Sequence, residues 1–138
     1  MPAVTNQGPP REHLLEFCFV AADVPKLRLR VGECAAEAGL GEPRLSDFVL
    51  AVHEVACNAV EHGGGSGSLV VQLVDGTLHC RVTDSGPGFS EDVIPPEWPG
   101  MFSGEGGRGL WLTRELTDRL EIATGAAGAV VTLAVGLD

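Results

Sequence analysis

The chain has 138 residues, 44% of them hydrophobic and 20% charged, and its 9 Lys and Arg against 19 Asp and Glu give a net charge of −10. That is the length of one domain and an ordinary globular composition, too apolar for a disordered chain. The acidity excludes a direct nucleic-acid binder, because the single lysine, Lys26, and the scattered arginines build no clustered basic face for a phosphate backbone.

Residues 1–11 read as a flexible tail broken by Gly8, Pro9 and Pro10, without the basic start and apolar stretch of a signal peptide. No apolar run approaches the roughly 18 residues of a membrane span. The four cysteines, Cys18, Cys34, Cys57 and Cys80, lie far apart with no CxxC pair, and their apolar neighbours mark them as buried reduced thiols. These features lead us to expect a cytoplasmic protein without membrane contact, folded as a single domain over 12–138.

In chain order, Leu14 to Ala21 is a β-prone strand, and Asp23 caps a helix that tolerates Pro25 in its first turn and stops at Gly39. Pro43 opens a second helix through Glu61, with Leu45, Phe48, Val52, Val55 and Ala59 forming a core stripe at helical spacing. Leu69 to Val74 and Leu78 to Val82 are strands joined by Asp75-Gly76, a hairpin signal. Ser85 to Gly109 is rich in Pro and Gly and has no apolar period, so it reads as a long loop. Leu110 to Thr117 is a short helix; Leu120 to Ala123 and Ala129 to Val135 are the last strands, around a Gly125–Gly128 turn. The order β-α-α-β-β-loop-α-β-β implies an α/β (α+β) two-layer sandwich. Its sheet is mixed and mostly antiparallel, with about five strands and about three helices on one face.

Three constellations carry chemistry. His53-Glu54 begins like a zinc-protease HExxH, but Cys57 stands where the second histidine belongs, so zinc is rejected. What remains is Glu54, Asn58 and His62 on one helical stripe, whose carboxylate and amide oxygens suit Mg²⁺ or its water shell; a plain surface stripe is the alternative. Asp84-Ser85-Gly86-Pro87-Gly88 follows a strand, and its acid can accept from an amino group such as that of adenine, although a simple turn has the same composition. Gly104 to Gly109 leads into a helix, where backbone N–H groups and the dipole cradle anions. It spells GxGxxG, but no strand precedes it and no acid lies between Thr124 and Leu137, so a dinucleotide crossover fails; the GxxxxGK[ST] phosphate loop is absent.

Taken together, E-x-x-x-N on a helix, D-x-G-x-G after a hairpin, and a long loop closed by glycines at a helix start resemble the GHKL superfamily (the Bergerat ATPase fold) over about 12–136. Glu54 leading the helical motif and the GRGLWL run at 107–112 look most like bacterial anti-sigma-factor serine kinases.

That resemblance implies ATP and Mg²⁺ as cofactors. Asn58 would hold the Mg²⁺, and Glu54 would act as catalytic base toward an attacking hydroxyl. Asp84 would receive the adenine amino group, with Gly86 and Gly88 making room for the ring. Gly107 and Gly109 would turn N–H groups to the phosphates, Arg108 would neutralise charge, and Thr132 would lie near the adenine. A lid is implied at about 90–106. The implied partners are a sigma factor and an anti-sigma-factor antagonist protein phosphorylated on serine, with a homodimer as a further option. A nucleotide-dependent binding switch without significant kinase activity and a detached histidine-kinase catalytic domain are the alternatives on the same fold. Lys26, Arg28 and Arg30 on the first helix are the one basic cluster, either a docking surface for an acidic partner or a solvated face; the solvated face is favoured, and Arg28 and Arg30 cannot share a helical side, which weakens the patch further.

Overall fold

The structure, a computed structural model, describes residues 11–62, 64–84, 105–125 and 128–137. Strand β1 (Arg11–Val20) leads through a single 3-10 turn at Ala21–Asp23 into helices α1 (Val24–Ala38) and α2 (Arg44–His62). Strands β2 (Ser66–Val74) and β3 (Thr77–Asp84) follow, then helix α3 (Glu105–Leu116) and strands β4 (Arg119–Gly125) and β5 (Gly128–Gly136).

The five strands lie in the order β1-β2-β3-β5-β4, and all four pairings are antiparallel, so the sheet expected to be mixed has no parallel pair among the described strands. The reason is that β5 inserts between β3 and β4, which run the same way but do not touch as a pair. The β2–β3 turn puts both central residues at positive φ, 52° at Asp75 and 77° at Gly76, as the twist of a two-residue hairpin requires.

One sheet face is the core. Leu69, Val71, Leu78, Cys80, Val82, Val131 and Leu133 alternate inward and are sealed by α2, whose Phe48, Val52, Val55 and Ala59 form the stripe read from the sequence. Burying Phe48, Val52 and Val55 contributes about 1.5–3 kcal/mol each. Helix α1 covers the β1 side with Leu27, Val31 and Ala35. The outer face carries exposed or half-buried residues, including Gln72, His79 and Arg81.

Two sequence expectations are corrected. Asp23 does not cap α1 with its side chain; the carboxylate instead accepts the Val20 N–H at 3.0 Å, closing the 3-10 turn. All four cysteines are free, but only Cys80 is buried, because Cys18 alternates outward between Phe17 and Phe19 and because Cys34 and Cys57 lie at helix flanks. Burial pushes the Cys80 thiol well above its ordinary range.

Helix α3 runs antiparallel to α2, and side-chain hydrogen bonds fasten the two together. Arg44, at the start of α2, donates to Asp118 just past the end of α3 at 2.9 Å and to the Gly136 carbonyl at 2.8 Å. Gly136 N–H returns a bond to the same Asp118 carboxylate at 2.8 Å. In the last turn of α3, the buried Thr113 hydroxyl donates to the Ala51 carbonyl at 3.4 Å.

Candidate nucleotide site

Glu54 and Asn58 sit one turn apart on α2, both half-buried, as the stripe required. Beside them Cys57 Sγ lies 3.5 Å from His53 Nε2. Burial foremost, then the Glu54 and Glu61 carboxylates, raise the Cys57 thiol above its ordinary value, with Arg28 opposing, so it stays protonated at neutral pH. The described residues hold no cluster of three or more His, Cys, Asp or Glu suited to a metal. An oxygen pair of this kind fits Mg²⁺, which keeps several waters and completes its shell with substrate phosphates rather than an all-protein cage. His62 closes α2, and its side chain lies outside the described residues.

Asp84 ends β3 on the sheet face that α2 covers and is 8% exposed. The β3–β5 ladder stops at Thr83 and Val130; one step beyond, the Asp84 carboxylate accepts the Ala129 N–H at 3.3 Å. A carboxylate accepts from several donors at once, so this bond orients the group without exhausting it. Across β2 its register partner is Gly67, where a Cβ would come within 2.8 Å of Phe19 Cζ and 3.0 Å of the Thr83 carbonyl. Gly86 and Gly88 lie outside the described residues.

Thr132 does not join this group. In β5 it pairs with Arg81 on one side and Glu121 on the other, both exposed, which puts it on the outer face, away from the helices and from Asp84. The physical reason is the period of two: Val131 and Leu133 turn inward, so Thr132 turns out. The residue that does meet Asp84 is Ala129, which the sequence reading missed; the alternation of Ala129, Val131, Leu133 and Val135 was the signal that could have found it.

Helix α3 starts at Glu105, five residues before the helix expected from Leu110. Gly107 therefore falls in the first turn, whose N–H groups have no partner inside the helix, while Gly109, two residues on, opens the second turn, where a regular helix uses the N–H on the carbonyl four residues back. The side chain of Arg108 is outside the described residues, as is the expected lid up to 104. Lys26, Arg28 and Arg30 are all exposed. Arg28 borders a groove of ≈ 710 Å³ between α1 and α2, whose lining includes Leu29, Val49, Leu50, His53 and Glu54.

Comparison with known proteins adds to this geometry. The family profile of the histidine kinase-like ATPase domain matches residues 19–135. The serine-protein kinase RsbW of Halalkalibacterium halodurans is 32% identical over 107 residues, which cover 70% of this chain and 65% of that protein. The signal transduction histidine-protein kinase AfsQ2 of Streptomyces coelicolor is 41% identical over 54 residues, 39% of this chain and 10% of the kinase. Among solved structures, the RsbU and RsbW domains of Rv1364c from Mycobacterium tuberculosis superpose with a TM-score of 0.65 at 24% identity, covering 89% of this chain and 32% of that one. The histidine kinase domain of a blue-light activated kinase from Erythrobacter litoralis gives 0.55 at 22% identity, covering 80% of this chain and 61% of that one. These likenesses bear on the fold. The chain spans about two thirds or less of the length of the relatives named here.

Proposed function

Because the chain belongs to the histidine kinase-like ATPase domain family, we propose that it is a Mg·ATP-dependent regulatory protein kinase. It phosphorylates a serine of an antagonist protein and sequesters a sigma factor. The observation that carries the reading is a buried carboxylate, Asp84, on the same sheet face as the helix bearing Glu54 and Asn58. A buried acid at a strand end gives an adenine amino group its acceptor, and oxygen donors one turn apart on the covering helix suit the phosphate end. The 32% identity to a protein named as a serine-protein kinase favours serine as the acceptor.

In this reading Asp84 fixes the base, Gly86 and Gly88 line it, and Gly107 and Arg108 face the phosphates, while the Gly109 N–H is spent inside α3. Asn58 holds Mg²⁺, which when bound offsets triphosphate charge and lets an acidic chain take an anionic ligand. Glu54 accepts the proton of the serine hydroxyl as its oxygen bonds to the γ-phosphorus; the bond from that phosphorus to the β–γ bridging oxygen breaks, and ADP leaves. Positioning and charge neutralisation supply most of the rate in such transfers.

A histidine-kinase catalytic domain is the second reading, favoured by the 41% identity to AfsQ2 over 54 residues. Affinity capture with and without Mg·ATP, followed by phosphosite mapping and radiolabel transfer, separates the two. The expected product is phosphoserine on a small co-purifying protein, with transfer lost and Mg·ATP binding retained in Glu54→Ala. Phosphohistidine would favour the second reading, and undiminished transfer by the variant would remove Glu54 from the base role.

A further inference from the structure

We infer that Thr113 is a positioning residue whose hydroxyl sets the spacing between the Glu54–Asn58 stripe and the N-terminal end of α3. The inference rests on the nucleotide-binding reading above. Thr113 and Asp84 are the two buried polar or charged residues among those described, and Thr113 is fully buried. A threonine inside a helix ordinarily turns its hydroxyl back on its own helix, as Thr117 does to the Thr113 carbonyl at 2.8 Å. Thr113 also reaches across, to the Ala51 carbonyl of α2.

The register of the two helices gives that bond its significance. The Arg44–Asp118 clamp holds the start of α2 to the end of α3, and the Thr113–Ala51 bond holds the last turn of α3 to α2 two turns further along. Asn58 lies seven positions beyond Ala51 on α2, and Gly106 lies seven positions before Thr113 on α3. Seven residues are close to two turns, so each returns to nearly the same helical face about 10 Å further on. In an antiparallel pair both steps lead the same way, which brings Asn58 level with Gly106 and Gly107 at the start of α3. The cation-holding amide and the phosphate-facing N–H groups thus stand on opposite helices, two turns beyond the Thr113–Ala51 bond. A ligand held by both needs their separation kept to about 0.5 Å.

The far clamp keeps α3 attached whether or not the hydroxyl is present. Ala51 sits inside α2, so its carbonyl retains a helical partner without Thr113. Removing the hydroxyl while keeping the shape therefore loosens the open end of α3 and leaves no orphaned acceptor. The experiment uses the whole chain with Thr113→Val and Thr113→Ser. Mg·ATP affinity is read by calorimetric titration, exchange of the 105–112 amides by mass spectrometry, and Tm by scanning calorimetry.

Thr113→Val is expected to bind Mg·ATP roughly three- to tenfold more weakly, the loss of about one net hydrogen bond. Its first α3 turns should exchange faster with Tm lowered by only a few degrees, and Thr113→Ser should restore both readouts. Wild-type affinity and exchange in Thr113→Val would overturn the inference, as would losses in both variants that simply follow Tm. A wild-type chain that binds no Mg·ATP is a separate result, since it overturns the nucleotide reading itself.

Discussion

Asp84 is an acid kept nearly out of solvent at the point where a ladder ends, and its carboxylate accepts the backbone N–H of Ala129. An acceptor-only group in such a place is useful to a donor-bearing ligand. The neighbouring Gly67 explains how the strand end stays compact: with no side chain there, Phe19 folds over β2 to 2% exposure. Gly67→Ala would drive a Cβ to 2.8 Å from the Phe19 ring and 3.0 Å from a backbone carbonyl, and the buried ring has no exit to solvent. The expected cost is about 1–3 kcal/mol of stability. Urea denaturation checks it: the midpoint should fall with the slope unchanged, whereas an unaltered midpoint would mean that the strand end relaxes freely.

At the scale of elements, the α2–α3 pair is joined to the sheet through Asp118. The Gly136 N–H foremost, helped by Arg44 and opposed by partial burial, holds the Asp118 carboxyl below the usual carboxylate range. A depressed folded-state pKa contributes stability that is complete above the unfolded pKa, about 3.9, and disappears as pH falls through the lower folded value. The side chain is 54% exposed, so solvent screening limits the contribution to under about 1 kcal/mol. Wild type should therefore exceed Asp118→Asn in denaturation stability by a constant margin between about pH 6 and 8, and the margin should shrink only below about pH 4. A margin that instead closes between pH 5 and 7 would assign it to another group. Salt should erode it as well.

At the scale of the molecule, the order of elements was legible because breakers and periods agree: Gly39, Pro43 and Asp75-Gly76 fall where helices and strands end, and the Phe48–Ala59 stripe is the core of α2. The start of α3 was not, because Gly106, Gly107 and Gly109 each cost a helix about 1 kcal/mol relative to Ala and so read as loop. The outward face of Thr132 was legible in the alternation of its neighbours, but carry-over by resemblance overrode it. The alternation could place Ala129 on the inner face, but its meeting with Asp84 depends on the register of β5 against β3, which local sequence does not set. Fold and site meet in one measurement. A ligand that binds only the folded chain adds about 2.7 kcal/mol at a hundred times its Kd, on the order of 10 °C for a domain of this size. Saturating Mg·ATP should raise Tm by that order. In Asp84→Asn the amide oxygen would keep the Ala129 N–H while the NH₂ group would face the adenine amino group donor to donor, so most of the rise should vanish. A full rise in that variant would move base recognition away from β3, and no rise in wild type would leave the buried acid without the ligand assigned to it.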